Sequence, residues 1–392
     1  MSLRHLLAAT ALWAAVSGAA VAQSRAPFKT PVPVGQMGPK LNPGYHHPLD
    51  VNLSTPAQWQ AFRAAVASGA VNTLPTSSGA FSIAGKSYGY TLVGTAPTVP
   101  LTTVIPTVIV PIRLTVSDYS VDGVHPVVLD GTRAIPSMLG SPIFHASPYA
   151  IGNLQFADAM LRTEFPNAAG RWHTVFSPSV AAPIDIVAPP GTVRVIKTKS
   201  GNLLGVIRDG SIIDIGRDAP INVALRAASP QTYVVFVTYN ALEASAFGYH
   251  SFAYTQKKAS AVVYTYTSWL EGVNDAFTIP SPDAATLAHE IAEVVHDPLI
   301  TSVTLKWGDA FNNNRCFQKL IEVGDAVEDA PAKVQLWKQT VQAGGTVKTY
   351  TLQTEALLPW FERQTPSTAL DGAYSFPDQA SLTTAAPLTC VG

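Results

Sequence analysis

The sequence predicts an α+β fold, in which a β-rich N-terminal half precedes a C-terminal half built from sheet strands and one overlying helix. Pro 31 and Gly 27, with abundant Val, Thr and Ser, are the composition of many short strands and turns. The runs Thr232 to Tyr239 and Ala261 to Thr267 are almost continuously apolar or aromatic, as in strands buried on both faces. Behind them Leu287, Ile291 and Val294 recur at helical spacing, and a helix laid over such a strand pair completes the class.

The chain opens with Arg4 and His5, an apolar run from Leu6 to Val16, and Ala20-Val21-Ala22, the pattern of a secretory signal over residues 1–22. This predicts a secreted, periplasmic or extracellular mature chain of about 370 residues, long enough for a large core. No later run reaches the roughly 18 apolar residues of a membrane span. Only 13% of residues are charged and the formal net charge is -1, so no basic field exists to recruit nucleic acid. In an oxidising compartment Cys316 and Cys390 are expected to pair, with about 4 kcal/mol of chain-entropy stabilisation.

Residues 23–78 read as a proline-rich extended arm, containing His46-His47, followed by a short helix from Thr55 as N-cap and Pro56 to Ala67, ended by Gly69. Residues 79–230 read as a β-rich region. Thr103 to Val116 is β-branched, but Pro106 and Pro111 suggest an edge or strand ends. A helix is expected from about Tyr149 to Phe165, with Asp158, Arg162 and Glu164 on its solvent side. Strands follow over Thr174 to Ala188, Val193 to Thr198 and Leu203 to Ile215.

Residues 231–392 hold the feature that organises the chain. Ser281-Pro282-Asp283 is a helix start with cap, first-position proline and first-turn acid, and Pro298 limits the other end. On this helix His289 and Glu293 are four residues apart and so share a face, the spacing of two ligands of one ion. Glu290 stands beside them to take a proton from metal-bound water. The pattern is the H-E-x-x-H zinc helix with glutamate in place of the second histidine. Glu322, in Glu322-Val323-Gly324-Asp325, is the preferred third ligand. Asp325 and Asp297 come next for that role, and Asp325 can also act by orienting a ligand. His296 reads as a C-terminal cap favoured by the helix dipole, or as a further ligand. His250 reads either as an oxyanion donor or as a buried histidine satisfied locally. Beyond the helix, Trp307 to Cys316 reads as irregular, Val347 to Leu352 as a strand and Glu355 to Arg363 as a short amphipathic helix.

His289-Glu290-Ile291-Ala292-Glu293-Val294-Val295-His296-Asp297-Pro298, followed by Glu322-Val323-Gly324-Asp325, resembles a group of secreted bacterial zincin-like metallopeptidases carrying H-E-[IL]-A-E-x-x-T-D-P and then E-[IV]-G-D. Gly248-Tyr249-His250-Ser251 is also similar to that group, and more distantly to the plant phosphate-induced, exordium-type secreted proteins. The resemblance covers roughly Tyr233 to Asp325. It implies a zincin-like C-terminal half and Zn2+ held by His289, Glu293 and Glu322. His296 stands where the group has threonine, and the cysteine that follows its E-[IV]-G-D is absent.

These readings together predict a secreted zinc-dependent hydrolase acting on peptide or protein substrates, with Glu290 as base. Two carboxylate ligands would neutralise the ion and acidify its water less than one carboxylate and two imidazoles do. The competing expectation is therefore a non-catalytic secreted or cell-surface binding protein that keeps a degenerate or structural metal site. Glycoside hydrolysis is disfavoured, because Glu290 and Glu293 are too close on one helix to flank a sugar bond.

Overall fold

The computed structural model describes residues 28–34, 53, 55–214, 216, 218–278, 280–309, 315–329, 333–343 and 346–386. The expected signal segment and His46-His47 lie outside them. So does the expected cystine, since neither Cys390 nor the Cys316 side chain is among the described parts.

Helix α1 (Pro56–Ala67) begins as the sequence predicts: Thr55 Oγ1 accepts from Gln58 N, and the Gln58 side chain accepts from Thr55 N in return. A hairpin of β1 (Thr76–Ile83) and β2 (Lys86–Val93) follows. The long β3 (Thr102–Val116) then enters the central sheet and pairs with β4 (Val127–Asp130), β5 (His173–Val180) and β6 (Ile184–Ala188). β7 (Val193–Lys197) and β8 (Leu203–Ile207) form a smaller sheet. β9 (Tyr233–Tyr239) pairs parallel with β3; β10 (Ala241–Glu243) joins the small sheet beside β8. β11 (Gly248–Thr255) and β12 (Ser260–Trp269) are antiparallel, and β12 runs parallel to β9. The central sheet is therefore ordered β11-β12-β9-β3-β4, with β5 and β6 also on β3. The architecture is mixed and strand-dominated, consistent with the α+β class. Its sheet joins β3 and β5, from residues 79–230, to strands from residues 231–392.

β3 is central, against the edge position that its prolines suggest. Pro106 pairs with β5 one residue before the β9 ladder starts at Thr107, and Pro111 closes that ladder where β3 changes partners from β5 to β6. Each proline thus sits where a missing N–H costs little.

The apolar runs behave as read. Tyr233, Val235 and Val237 of β9 enter one core, and Val234 and Phe236 enter the core on the other face. The first core is covered by helix α2 (Phe156–Glu164) and helix α3 (Ala285–His296). α2 starts seven residues later than predicted, because Ser147–Tyr149 and Gly152–Leu154 form a hairpin first, with Gly152 at φ 133. Its Asp158 and Glu164 are buried rather than solvated. Asp158 holds His173 Nδ1 at 2.9 Å and the Thr174 N–H at 3.1 Å.

α3 also starts late. Ser281 does not cap it but bonds the Thr286 hydroxyl at 2.7 Å. Asp283 takes a left-handed φ of 42, and its Oδ1 accepts from both Ala284 N and Thr351 N. Every α3 residue is buried, so the helix has no solvent side. It packs on β2, α2, β11, β12 and a later strand, β16 (Thr346–Gln353). That strand hairpins with β15 (Leu336–Ala343).

The span read as irregular takes in the end of β13 (Val303–Asp309) and the start of β14 (Arg315–Leu320), which pair through register shifts. The span read as a helix from Glu355 is instead β17 (Glu355–Ala356), paired with β18 (Ser375–Phe376), and then the four-residue α4 (Leu358–Phe361). No helix among the described residues is long and apolar enough to cross a membrane.

Candidate metal centre

The centre is assembled from four segments. Strand alternation sets the first. Phe252 and Tyr254 of β11 point into the core under α3, so His250, in phase with them, points there too, while Tyr249 enters the opposite core. α3 supplies His289, Glu290 and Glu293. The turn after β14 supplies Glu322 and Asp325, and the β16–β17 junction supplies Gln353 and Glu355. Glu290, Glu293 and His289 are fully buried, as are His250, Glu322 and Glu355.

Two glycines make the approach possible. A Cβ on Gly248 would stand 2.6 Å from Thr286 Cγ2 and 3.0 Å from Glu290 Oε1, so this position lets α3 settle onto β11. A Cβ on Gly324 would stand 2.3 Å from His289 Nδ1, so the backbone of the Glu322-Val323-Gly324-Asp325 turn lies against the imidazole face. That turn also donates Gly324 N to Glu293 Oε1 at 3.3 Å. Its carbonyl accepts from Gln353 Nε2 at 2.8 Å, and the same amide nitrogen is 2.9 Å from His289 Nδ1. The Gln353 amide thus sits against His289 Nδ1, and Nε2 faces the carboxylates.

Around Nε2, Glu293 Oε1 lies at 3.2 Å and Asp325 Oδ1 at 3.7 Å. On the other side of Glu293, Oε2 is 3.2 Å from His250 Nδ1, which is 3.6 Å from Glu290 Oε2. The second of these is an ion-pair contact beyond hydrogen-bond length. Neither oxygen of Glu290 or of Glu355 has a hydrogen-bond partner among the described residues.

Charge here is balanced internally. Burial opposes charge on His289 and His250, yet the neighbouring carboxylates, Glu293 and Glu290 foremost, hold both imidazoliums well above the ordinary range. Burial works against the Glu293 anion as well, but His289 and His250 keep it well below the usual carboxylate range. Burial raises Glu290, pushes Glu355 up to about 8 and, with the Glu293 charge, holds Glu322 far above normal. With no cation, this centre must carry protons on groups that ordinarily lack them at neutral pH.

The donors fit a divalent cation. Ligand atoms of His289, Glu293 and Asp325 lie within 4.8 Å of one another, and so do those of His250, Glu290 and Glu293. Of the ligands expected from sequence, His289 and Glu293 fall together. The third member of their group is Asp325 rather than the preferred Glu322, which is buried nearby and senses Glu293 and Asp325 without joining either group.

His296 and Asp297, the remaining ligand candidates from the sequence, are engaged elsewhere. His296 bonds Ala292 O through Nδ1 at 2.7 Å and Glu164 Oε2 through Nε2 at 2.9 Å, so both ring nitrogens are used. Asp297 Oδ1 caps Thr301 N and Ser302 N at 2.6 and 2.9 Å. Sequence reasoning misses Gln353 and Glu355. The available signal is an acid against the apolar run Ala356-Leu357-Leu358 in an acid-poor chain.

A cavity of ≈ 830 Å³ lies toward the other end of β11, bordered by Asn72, Arg226, Tyr254 and Lys258, and contains none of these groups. No protein-family model, curated protein or solved structure matches the chain.

Proposed function

We propose that this protein is a secreted zinc-dependent hydrolase of the peptidase class. The observation that carries the reading is Glu290: a fully buried carboxylate with no hydrogen-bond partner among the described residues, one position along α3 from His289 and beside the His289–Glu293–Asp325 group. His289, Glu293 and Asp325 would hold the ion, with Glu322 next to them. Bound zinc supplies Lewis acidity toward water and a substrate carbonyl oxygen. Glu290 then accepts the proton of the attacking water and returns it to the leaving group. His250, between Glu290 and Glu293, is placed to donate toward developing negative charge. The resemblance of the α3 and Glu322-Val323-Gly324-Asp325 motifs to the zincin-like group supports the same reading.

The second reading, a non-catalytic secreted or cell-surface binding protein with a degenerate or structural metal site, is favoured by one observation, the complete burial of His289, Glu290 and Glu293. Structural sites are closed, whereas catalytic ones keep an open position.

The test is metal content, together with hydrolysis of unfolded protein and mixed peptides, for wild type, Glu293→Ala and Glu290→Gln. The hydrolase reading expects metal lost in the first variant, and metal kept but hydrolysis lost by 100-fold or more in the second. Stoichiometric metal with no hydrolysis in wild type selects the structural reading. Wild type without stoichiometric metal after zinc addition removes both.

A further inference from the structure

We propose that the centre takes two divalent first-row cations, bridged by Glu293, rather than one. The inference rests on the metal-site reading above and extends it. The two ligand groups share a single residue, Glu293, and use its two oxygens separately. Oε1 faces His289 Nε2 at 3.2 Å, on the Asp325 side; Oε2 faces His250 Nδ1 at 3.2 Å, on the Glu290 side. A carboxylate offering one oxygen to each of two imidazole–carboxylate pairs can bridge the two ions of a two-metal site.

The donor set is large enough for two ions: Glu290, Glu293 and Asp325 are joined by the buried carboxylates Glu322 and Glu355, beside two imidazoles that bind metal only when neutral.

An independent observation also points inward. Glu355 is fully buried, neither of its oxygens has a hydrogen-bond partner among the described residues, and its charge is felt with those of His289, Glu293 and Glu290. It is a further buried carboxylate close to the two groups. The donor set, two imidazoles among carboxylates without a described thiolate, suits zinc, manganese or ferrous ions. Glu290 can still serve as base: ligation through Oε2 leaves Oε1, the oxygen beside Gly248, to take a proton.

The experiment is metal stoichiometry on the full mature chain, loaded separately with Zn2+ and Mn2+, with electron paramagnetic resonance of the manganese form. Wild type should bind two ions per chain and show the spectrum of a spin-coupled pair. His250→Gln and Asp325→Asn should each reduce the count from two to one and abolish the coupling, and Glu293→Gln should lose both ions. One ion per chain, with an uncoupled manganese spectrum, overturns the two-cation inference and leaves the single-ion reading standing. No stoichiometric ion overturns both. The wild-type spectrum decides the matter even if a variant fails to fold.

Discussion

The backbone of Gly324 lies flat against the ring of His289, so closely that a Cβ there would stand 2.3 Å from Nδ1 and 2.5 Å from Cε1. The Glu322-Val323-Gly324-Asp325 turn and the α3 motif are thus two halves of one contact. Gly324→Ala must push the imidazole or the turn aside. The expected outcome is a stability loss of about 2 kcal/mol, typical of overpacking, with at least tenfold weaker zinc binding. Chemical denaturation and a competitive chelator titration measure the two effects. Unchanged zinc affinity would show that His289 is not a ligand.

His296 and Glu164 form a buried pair that the metal reading does not use, and Glu164 also accepts from Leu358 N. Glu164→Ala strands both donors and should cost about 3–5 kcal/mol, as breaking one partner of a buried pair does. Any variant protein that folds should keep its full metal count. Calorimetry beside metal analysis separates these outcomes, and loss of an ion would place His296 in the centre.

Asp283 ties the start of α3 to β16 by accepting from Ala284 N and Thr351 N. Asp283→Ala removes both bonds while keeping a side chain at φ 42. A loss of about 2–3 kcal/mol is expected from two part-buried hydrogen bonds to a carboxylate, read from denaturant midpoints. Asp283→Asn should recover part of it through its remaining acceptor oxygen.

Away from the centre, burial and then the charge of Asp214 push Glu243 up from 4.5 to about 8, and Tyr249 donates to Asp214 beside it. Between those values the folded protein holds a proton that the unfolded chain has released. Stability therefore falls as pH rises from 4.5 to 8 and is level above, a change of at most about 5 kcal/mol from this group. Glu243→Gln should flatten the profile in that window. A variant whose denaturation keeps the wild-type slope would assign the proton elsewhere.

On the metal reading, removing the ion should also lower Tm, because the folded ligand shell would bind it and the unfolded chain would not. At a free concentration 100 times Kd the stabilisation is about 2.7 kcal/mol. Scans with and without chelator test this, and equal Tm values would mean that no ion stabilises the fold.

What could be read from the sequence followed the strength of local signals. The buried strands announced themselves through uninterrupted runs, the Thr55 cap through its box with Gln58, and His289, Glu290 and Glu293 through helical spacing. Other features depended on partners distant in the chain. Ser281 has the local pattern of a cap, but Thr351 recruits Asp283 and shifts the helix start; Glu164 has the pattern of a solvated acid, but His296 reaches it from the end of α3. Glu355 shows only as an acid against an apolar run; its position comes from a two-residue strand paired with β18 and tied to Val323 O through Ala356 N. The preference for Glu322 over Asp325 rests on its place about 29 residues beyond Glu293 and on the E-[IV]-G-D resemblance, and side-chain direction within a tight turn is not encoded by spacing.

The enclosure of α3 has a kinetic consequence. Its candidate ligands come from β11, from the helix itself and from the turn and strand between residues 321 and 355, so the shell closes only when the last of these docks. An ion held there exchanges no faster than that late segment opens. Occupancy would then record the metal supply at the time of folding rather than the medium in which the folded protein later resides.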